Sequence, residues 1–151
     1  MSIDARLTEL GLTLPDAPAP AANYVPHVQS GNLLFVSGQI SSGPDGLIKG
    51  RLGADMDVTQ GAAAARACGL ALLAQARAAA GSLDQIARVV KLTGFVASTP
   101  EFTDQPEVIN GCSDLMVEVF GDRGRHARAA VSAAALPRGV AVEIEAIFEL
   151  G

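Results

Sequence analysis

The stretch from Val140 to Leu150 reads VAVEIEAIFEL, and it constrains the fold more than any other part of the chain. Val140, Val142, Ile144, Ala146, Phe148 and Leu150 fall on every second position, while Ala141, Glu143, Glu145, Ile147 and Glu149 fill the alternate ones. A period of two marks a β-strand whose successive side chains point to opposite faces. One face here is wholly apolar and the other carries three glutamates, so the strand belongs to a sheet covered on one side by another layer.

The residues just upstream, HARAAVSAAALPRG from His126 to Gly139, are rich in alanine and contain one arginine, Arg128, in the alanine run. Helix propensity alone favours a helix there. The Leu136-Pro137-Arg138-Gly139 break before an alternating strand favours a strand instead, and the pair reads as a terminal hairpin. Ala127, Ala129, Val131, Ala133 and Ala135 form a wholly apolar row that is expected to continue the apolar face of the last strand. A one-residue slip would invert every side chain, so this match sets the parity of the pairing. A two-residue loop at Leu136-Pro137 pairs Ala130 with Glu143 and Arg128 with Glu145; a four-residue loop shifts the partners by two. Either way Arg128 is expected on the glutamate face, with Ala130, Ser132 and Ala134 beside it. Such small side chains let another layer approach closely, which points to a neighbouring subunit and a sheltered cleft. Two readings stay open: Arg128 serves a binding site, or it simply pairs with a glutamate at an interface.

The rest of the chain supplies the covering layer. SIDARLTELG reads as a short helix with Ser2 as N-cap and Gly11 as stop, followed by an extended Pro/Ala connector. YVPHVQ and LLFVSGQI flank the turn at Ser30 to Asn32 and read as a hairpin. A long helix starts near Thr59 and stops at Gly81, with Leu70, Leu73 and Ala74 on its buried face, and with Gly61 and Gly69 allowing close packing against a sheet. IARVVKLTGFVAS is a strand. TDQPEVINGCSDLMVEVFG is a second helix, with Asp104 as cap, Pro106 in the first turn and Gly121 past the end. The order points to an α+β domain with two helices on one face of a mixed sheet.

A net charge of −5 argues against a broad nucleic-acid surface, and aromatics at 4% leave little for stacking bases. No apolar run approaches a bilayer span, no secretory leader is visible, and Cys68 and Cys112 are separate thiols. These features lead to the expectation of a cytoplasmic protein without membrane attachment. His27 and His126 form no metal-ligand set, and no phosphate loop or lysine-centred cofactor motif occurs, so neither metal nor organic cofactor is expected.

Three stretches in order resemble the RidA/YjgF family, also labelled endoribonuclease L-PSP: YVPHVQSGNLLFVSGQI, VINGCSDLMVEVFG and HARAAVSAAALPRGVAVEIEAI. The resemblance runs from Tyr24 to the end, and divides the chain into residues 1–23, a helix and connector added to the shorter members, and residues 24–151, the family domain. It departs from the family's usual Pro-Ala-Arg at His126-Ala127-Arg128, and Ala130 stands where the better-studied deaminases have cysteine. The family implies a trimeric fold like that of bacillary chorismate mutase, with clefts between subunits. It implies hydrolysis of 2-imino or enamine acids to 2-oxo acids and ammonia, as by a 2-iminobutanoate/2-iminopropanoate deaminase. By position, Arg128 would hold the substrate carboxylate and Glu143 would handle water or the imine nitrogen. Tyr24, Ser37, Gly38, Asn110 and Ala130 would line or support the pocket. A planar guanidinium suits a carboxylate, and a glutamate can exchange protons with water, so both roles make chemical sense. A binding protein for small carboxylates using the same pocket, and a ribonuclease, are the alternatives.

Overall fold

The computed structural model describes all residues from Met1 to Gly151. Its elements in chain order are α1 (Ile3–Glu9), β1 (His27–Ser30), β2 (Leu33–Ile40), β3 (Ser42–Gly43), β4 (Gly46–Leu47), α2 (Val58–Ala80), β5 (Ile86–Ala97), α3 (Gln105–Phe120), β6 (Ala127–Ala133) and β7 (Val142–Leu150). Helix starts follow local chemistry. Ser2 Oγ accepts from Ala5 N at 3.1 Å, and Asp57 and Gln60 close a reciprocal capping box at the head of α2. Asp104 occupies the cap position of α3, but its side chain makes no capping bond there; Pro106 in the first turn fits the helix start instead.

The main sheet runs β1-β2-β7-β5-β6, so the last strand of the chain sits in the middle. Val142, Ile144 and Phe148 are fully buried beneath α2 and α3, as the period of two requires. The apolar face of β7 is therefore the core face. Leu72, Leu73, Ile109, Leu115 and Phe148 form that core, and Ile3, Leu7 and Leu14 from the N-terminal segment join it.

The expected terminal hairpin does not form. β6 pairs with β5 in parallel, Arg128 opposite Leu92 and Ala130 opposite Gly94, while β7 takes the other side of β5 in antiparallel pairing. The cause is the helix between β5 and β6. A strand, a helix packed on the sheet and a second strand make a crossover unit whose strands lie parallel. The segment from Ala134 to Ala141 then steps across the end of β5 instead of turning back tightly. Parity inverts as a result. Arg128 and Ala130 face the helices, and Ala127, Ala129 and Val131 face away from them.

That second face has no covering layer. Val28, Phe35, Ile147, Lys91 and Ala127 follow one another across it in register, and the next rows are Glu145, Thr93 and Ala129, then Glu143, Phe95 and Val131. Val28 is 53% exposed, Phe35 42% and Val131 44%. The face is mixed, with Lys91, Glu143 and Glu145 among exposed Val28, Phe35 and Val131; antiparallel sheets often present a polar face to water, and the large exposed apolar side chains are what sets this one apart.

Helix α2 meets α3 through small residues. Gly61 and Gly69 face Val108, Leu115 and Cys112 of α3, not the sheet as their sequence positions suggested. Gly111 on α3 lies so close to the Ala62 carbonyl that a Cβ would collide with rigid backbone. In an open helix, Gly→Ala would stabilise by about 1 kcal/mol. Here Gly111→Ala is expected to destabilise by about 1–3 kcal/mol, as forced overpacking does. Urea unfolding of parent and variant checks it: an unchanged or raised midpoint would mean the helices are not held at this distance.

Candidate functional site

A groove of about 1210 Å³ opens between the Pro/Ala connector, α2, the β3–β4 hairpin and the β2–β7 pair. Tyr24, Ser37, Gly38 and Glu143 all line it, so four of the residues singled out in the sequence come together. Their convergence rests on an irregularity. The β2–β7 register shifts between Val36 and Gln39, a bulge that carries Ser37 and Gly38 toward β7. A Cβ built on Gly38 would lie 2.7 Å from Glu143 Oε2, so the carboxylate occupies space that any other residue would fill. Ser37 is not set up as a nucleophile. Its hydroxyl donates to Val25 O at 2.7 Å and its N–H donates to Pro26 O at 2.9 Å, fastening the segment that carries Tyr24. Tyr24 Oη accepts from Ala21 N at 3.2 Å, holding the connector's end across the groove.

Glu143 is the titratable group of this groove whose environment is most distinctive. Partial burial pushes its pKa above the ordinary carboxylate value, and the neighbouring Glu145 carboxylate pushes the same way. A carboxyl shifted upward is a better proton acceptor and donor near neutrality than a free one. Only Asp16, Arg138 and Glu143 bring formal charge to the groove lining. Arg138 was not singled out in the sequence. It sits in the turn between β6 and β7 with φ of 60°, a left-handed conformation uncommon for a residue with a side chain, and joins none of the chain's ion pairs. The Leu-Pro-Arg-Gly turn was legible, but nothing local told that it would fold against β2.

Arg128, Asn110 and Ala130 lie elsewhere, where β6 runs beside α3. Arg128 Nη1 donates to Ser113 Oγ at 3.1 Å and Nη2 donates to Pro106 O at 3.1 Å. Asn110 is exposed on the same helical face as Pro106 and Ser113, since residues four and three apart stack on one side. His126 completes the cluster. Its Nδ1 faces Gly124 O at 2.6 Å, which can only accept, so the ring proton sits on Nδ1. Burial lowers the His126 pKa, the Gly124 contact partly opposing and the Arg128 charge assisting, so the ring is held neutral and Nε2 accepts from Ser113 at 2.8 Å. Ser113 thus links Arg128 to His126, a role its sequence position alone did not signal.

Arg128 and Glu143 cannot grip one small molecule within a single chain. β5 lies between their strands, which costs about 9.6 Å laterally, and their partners Leu92 and Phe95 stand three residues apart, adding about 10 Å along the strand. Their Cα atoms are therefore roughly 14 Å apart. They also point to opposite faces, Arg128 toward α3 and Glu143 away from the helices. Neither Arg128 nor any other group forms an ion pair with Glu145, contrary to the expected cross-strand contact. Cys68 and Cys112 are free and buried in the core; burial pushes the Cys112 thiol up to about 12, so neither is poised for chemistry. No cluster of His, Cys, Asp and Glu could hold a metal ion, and no helix is long and apolar enough to cross a membrane.

Comparison with known proteins agrees with this architecture. Residues 4–148 match the family model described as "YjgF/chorismate mutase-like, putative endoribonuclease". Protein TCP17 of Trypanosoma cruzi is 53% identical over 150 residues, covering 98% of this chain and 94% of that protein. The crystal structure of Atu1372 from Agrobacterium tumefaciens, a protein described there as of unknown function, is 51% identical with a TM-score of 0.90, covering 99% of this chain and 94% of its own. A Shewanella oneidensis crystal structure described as that of "a putative endoribonuclease" is 33% identical with a TM-score of 0.95, covering 99% of this chain and 100% of its own.

The Glu143 shift carries a sign that can be tested. Its folded pKa lies above its unfolded one, so the stability this group contributes is complete below the unfolded carboxylate value and is lost as pH rises through the folded value. Glu143→Gln stays neutral throughout and escapes that loss. The variant is expected to melt higher than the parent at neutral pH, with the gap closing in acid below the carboxylate range. Thermal melts across pH check it, and a gap of opposite sign would show that the fold favours the ionised carboxylate.

Proposed function

This chain belongs to the RidA/YjgF family, and on that premise we propose that it hydrolyses reactive 2-imino acids, the tautomers of enamine acids, to 2-oxo acids and ammonia. The observation that carries the reading is Glu143, a half-buried carboxylate of raised pKa, held over Gly38 in the lining of a groove whose other formal charges are Asp16 and Arg138. The chemistry asks for little more. A water oxygen bonds to the C=N carbon, and Glu143 takes the proton the water gives up. Glu143 returns that proton to the nitrogen, giving the neutral carbinolamine; it then takes the carbinolamine's hydroxyl proton and passes it to the same nitrogen, which leaves as ammonia as C=O forms. Positioning of the water and an acid–base carboxylate suffice, with no metal or organic cofactor called on.

The substrate carboxylate is assigned to Arg128, whose guanidinium presents a planar fork. Because Arg128 and Glu143 are far apart in one chain, the reading requires Glu143 of one copy to meet Arg128 of another. The exposed Val28, Phe35 and Val131 on the uncovered face of the sheet and the small residues of β6 support such an assembly, and a homotrimer with one cleft at each interface is the form proposed. A closed ring of three makes every interface equivalent and leaves no open end. A second reading comes from Arg138, which lines the same groove as Glu143 and could hold the acid within one chain.

Mixing decides between the two. Arg128→Ala and Glu143→Gln are each expected to lose 2-iminopropanoate hydrolysis, followed as ammonia released from freshly generated imine. Co-refolded together they are expected to regain a measurable fraction, because some interfaces then pair an intact Arg128 with an intact Glu143. No recovery on mixing, together with loss of activity in Arg138→Ala, would move the anchor to Arg138.

The separate roles can be read from single variants. Arg128→Lys keeps charge but loses the fork, and 2-oxobutanoate binding is expected to weaken more than tenfold, as truncating a buried charge pair typically costs about 2–5 kcal/mol. Glu143→Gln should depress turnover while leaving that binding largely in place. A protein that binds 2-oxobutanoate and never releases ammonia would be a carboxylate-binding protein instead. Light scattering at micromolar concentration is expected to give three times the chain mass, and a monomer would end the interface reading.

A further inference from the structure

We propose that the groove carries a dedicated apolar subsite, built by the N-terminal connector, and that its ligand is a 2-imino or 2-oxo acid with a sizeable branched or aromatic side chain. The inference rests on the reading of Glu143 as the reacting-end carboxylate and concerns what the rest of the groove accepts.

The groove is far larger than a three- or four-carbon acid needs. Its volume of about 1210 Å³ lies at the upper end of, or beyond, ordinary small-molecule pockets, which run to about 1,000 Å³. Its charge is confined to Asp16, Arg138 and Glu143, and Leu14, Pro15, Pro18, Leu47, Leu70 and Ala71 are among the apolar residues that line the rest. A polar head therefore belongs beside Glu143, and the largely apolar remainder of the lining suits a hydrocarbon tail.

The wall is fixed in place. Leu14 is anchored in the core at 9% exposure, and Leu12 N donates to Leu7 O at 2.9 Å. Gln75, 2% exposed on α2, donates to Pro18 O at 2.6 Å from beneath the connector. The same amide lies 3.5 Å from Gln39 Oε1, and Gln39 Nε2 donates to Ser37 O at 2.9 Å, tying the wall to the bulge that positions Gly38. Prolines at 15, 18 and 20 hold the intervening backbone extended at little entropic cost. A wall that is already ordered does not have to be ordered by the ligand, so burying a tail against it contributes directly to affinity.

The experiment compares two probes that differ only in the tail: 4-methyl-2-oxopentanoate and 2-oxopropanoate for binding by calorimetry, and the imines generated from leucine and alanine for turnover. The parent is expected to favour the larger acid at least tenfold, in the range that burying a few methylene groups gives. Ala67→Phe narrows the trough from the α2 side, and Leu70→Gln keeps its size while making it polar; each is expected to bring the ratio between the two acids toward one. Equal affinities in the parent, or a ratio that survives both substitutions, would overturn the subsite. A parent that prefers the larger acid in binding but hydrolyses neither imine would leave the subsite standing and remove the enzymatic reading. Hydrolysis of both imines at equal efficiency, with equal binding, would do the reverse.

Discussion

The placement of β7 at the centre of the sheet is the constraint on which the rest of this molecule depends. β7 lies between β2 and β5, so neither half of the sheet is joined to the other until the last residues of the chain are in place. Its inward side chains, among them Val142, Ile144 and Phe148, fill the space beneath both helices and are fully buried. Its outward side chains then have fixed positions: Glu143 beside the β2 bulge, Glu145 and Ile147 out on the uncovered face. The same insertion sends the Leu136–Gly139 turn across the end of β5 and brings Arg138 to the groove.

From that frame the chemistry divides into two regions of one surface. The groove holds a carboxylate whose burial raises its pKa, together with the glycine that leaves room for it. The β6–α3 edge holds a guanidinium already engaged by Ser113 and the Pro106 carbonyl, with a neutral His126 behind it. Hydrogen bonds from a guanidinium to a hydroxyl and a carbonyl hold its plane but leave its charge uncompensated, which suits later capture of an anion. Under the proposed assembly, the two regions would meet at one interface, and the exposed Val28, Phe35 and Val131 lie on the face left open in the single chain.

The N-terminal segment has a similar double role. Ile3, Leu7 and Leu14 add to the core, while the connector between Leu14 and Tyr24 stands over α2 as one wall of the groove. Its backbone is held by a buried amide and by the Tyr24 hydroxyl, so a Pro/Ala-rich stretch that reads in isolation as a plain linker becomes part of the groove's lining.

Much of this was legible from residues alone. The two-residue period of Val140–Leu150 established which of its side chains are core, and Ser2, Gly11, Gly81 and Gly121 marked helix ends where they occur. The motifs around Tyr24, Ser37-Gly38 and Glu143 were assigned to one pocket, and those residues do line one groove. Arg128 was assigned to the same face as Glu143 and lies on the other. Ser113 and Arg138 went unnoticed because neither stands in a local pattern. The reason is physical. Periodicity within a strand reports which side chains share a face, and that depends only on nearest neighbours along the chain. Which strand lies beside which depends on where a crossover helix packs and on what must be buried beneath it. So the sequence by itself determined the long strands, the helices and the parity of β7, while the short β3–β4 hairpin read as loop. Only the tertiary structure decided that β5 would stand between Arg128 and Glu143, because that choice is made by contacts between segments far apart in the chain.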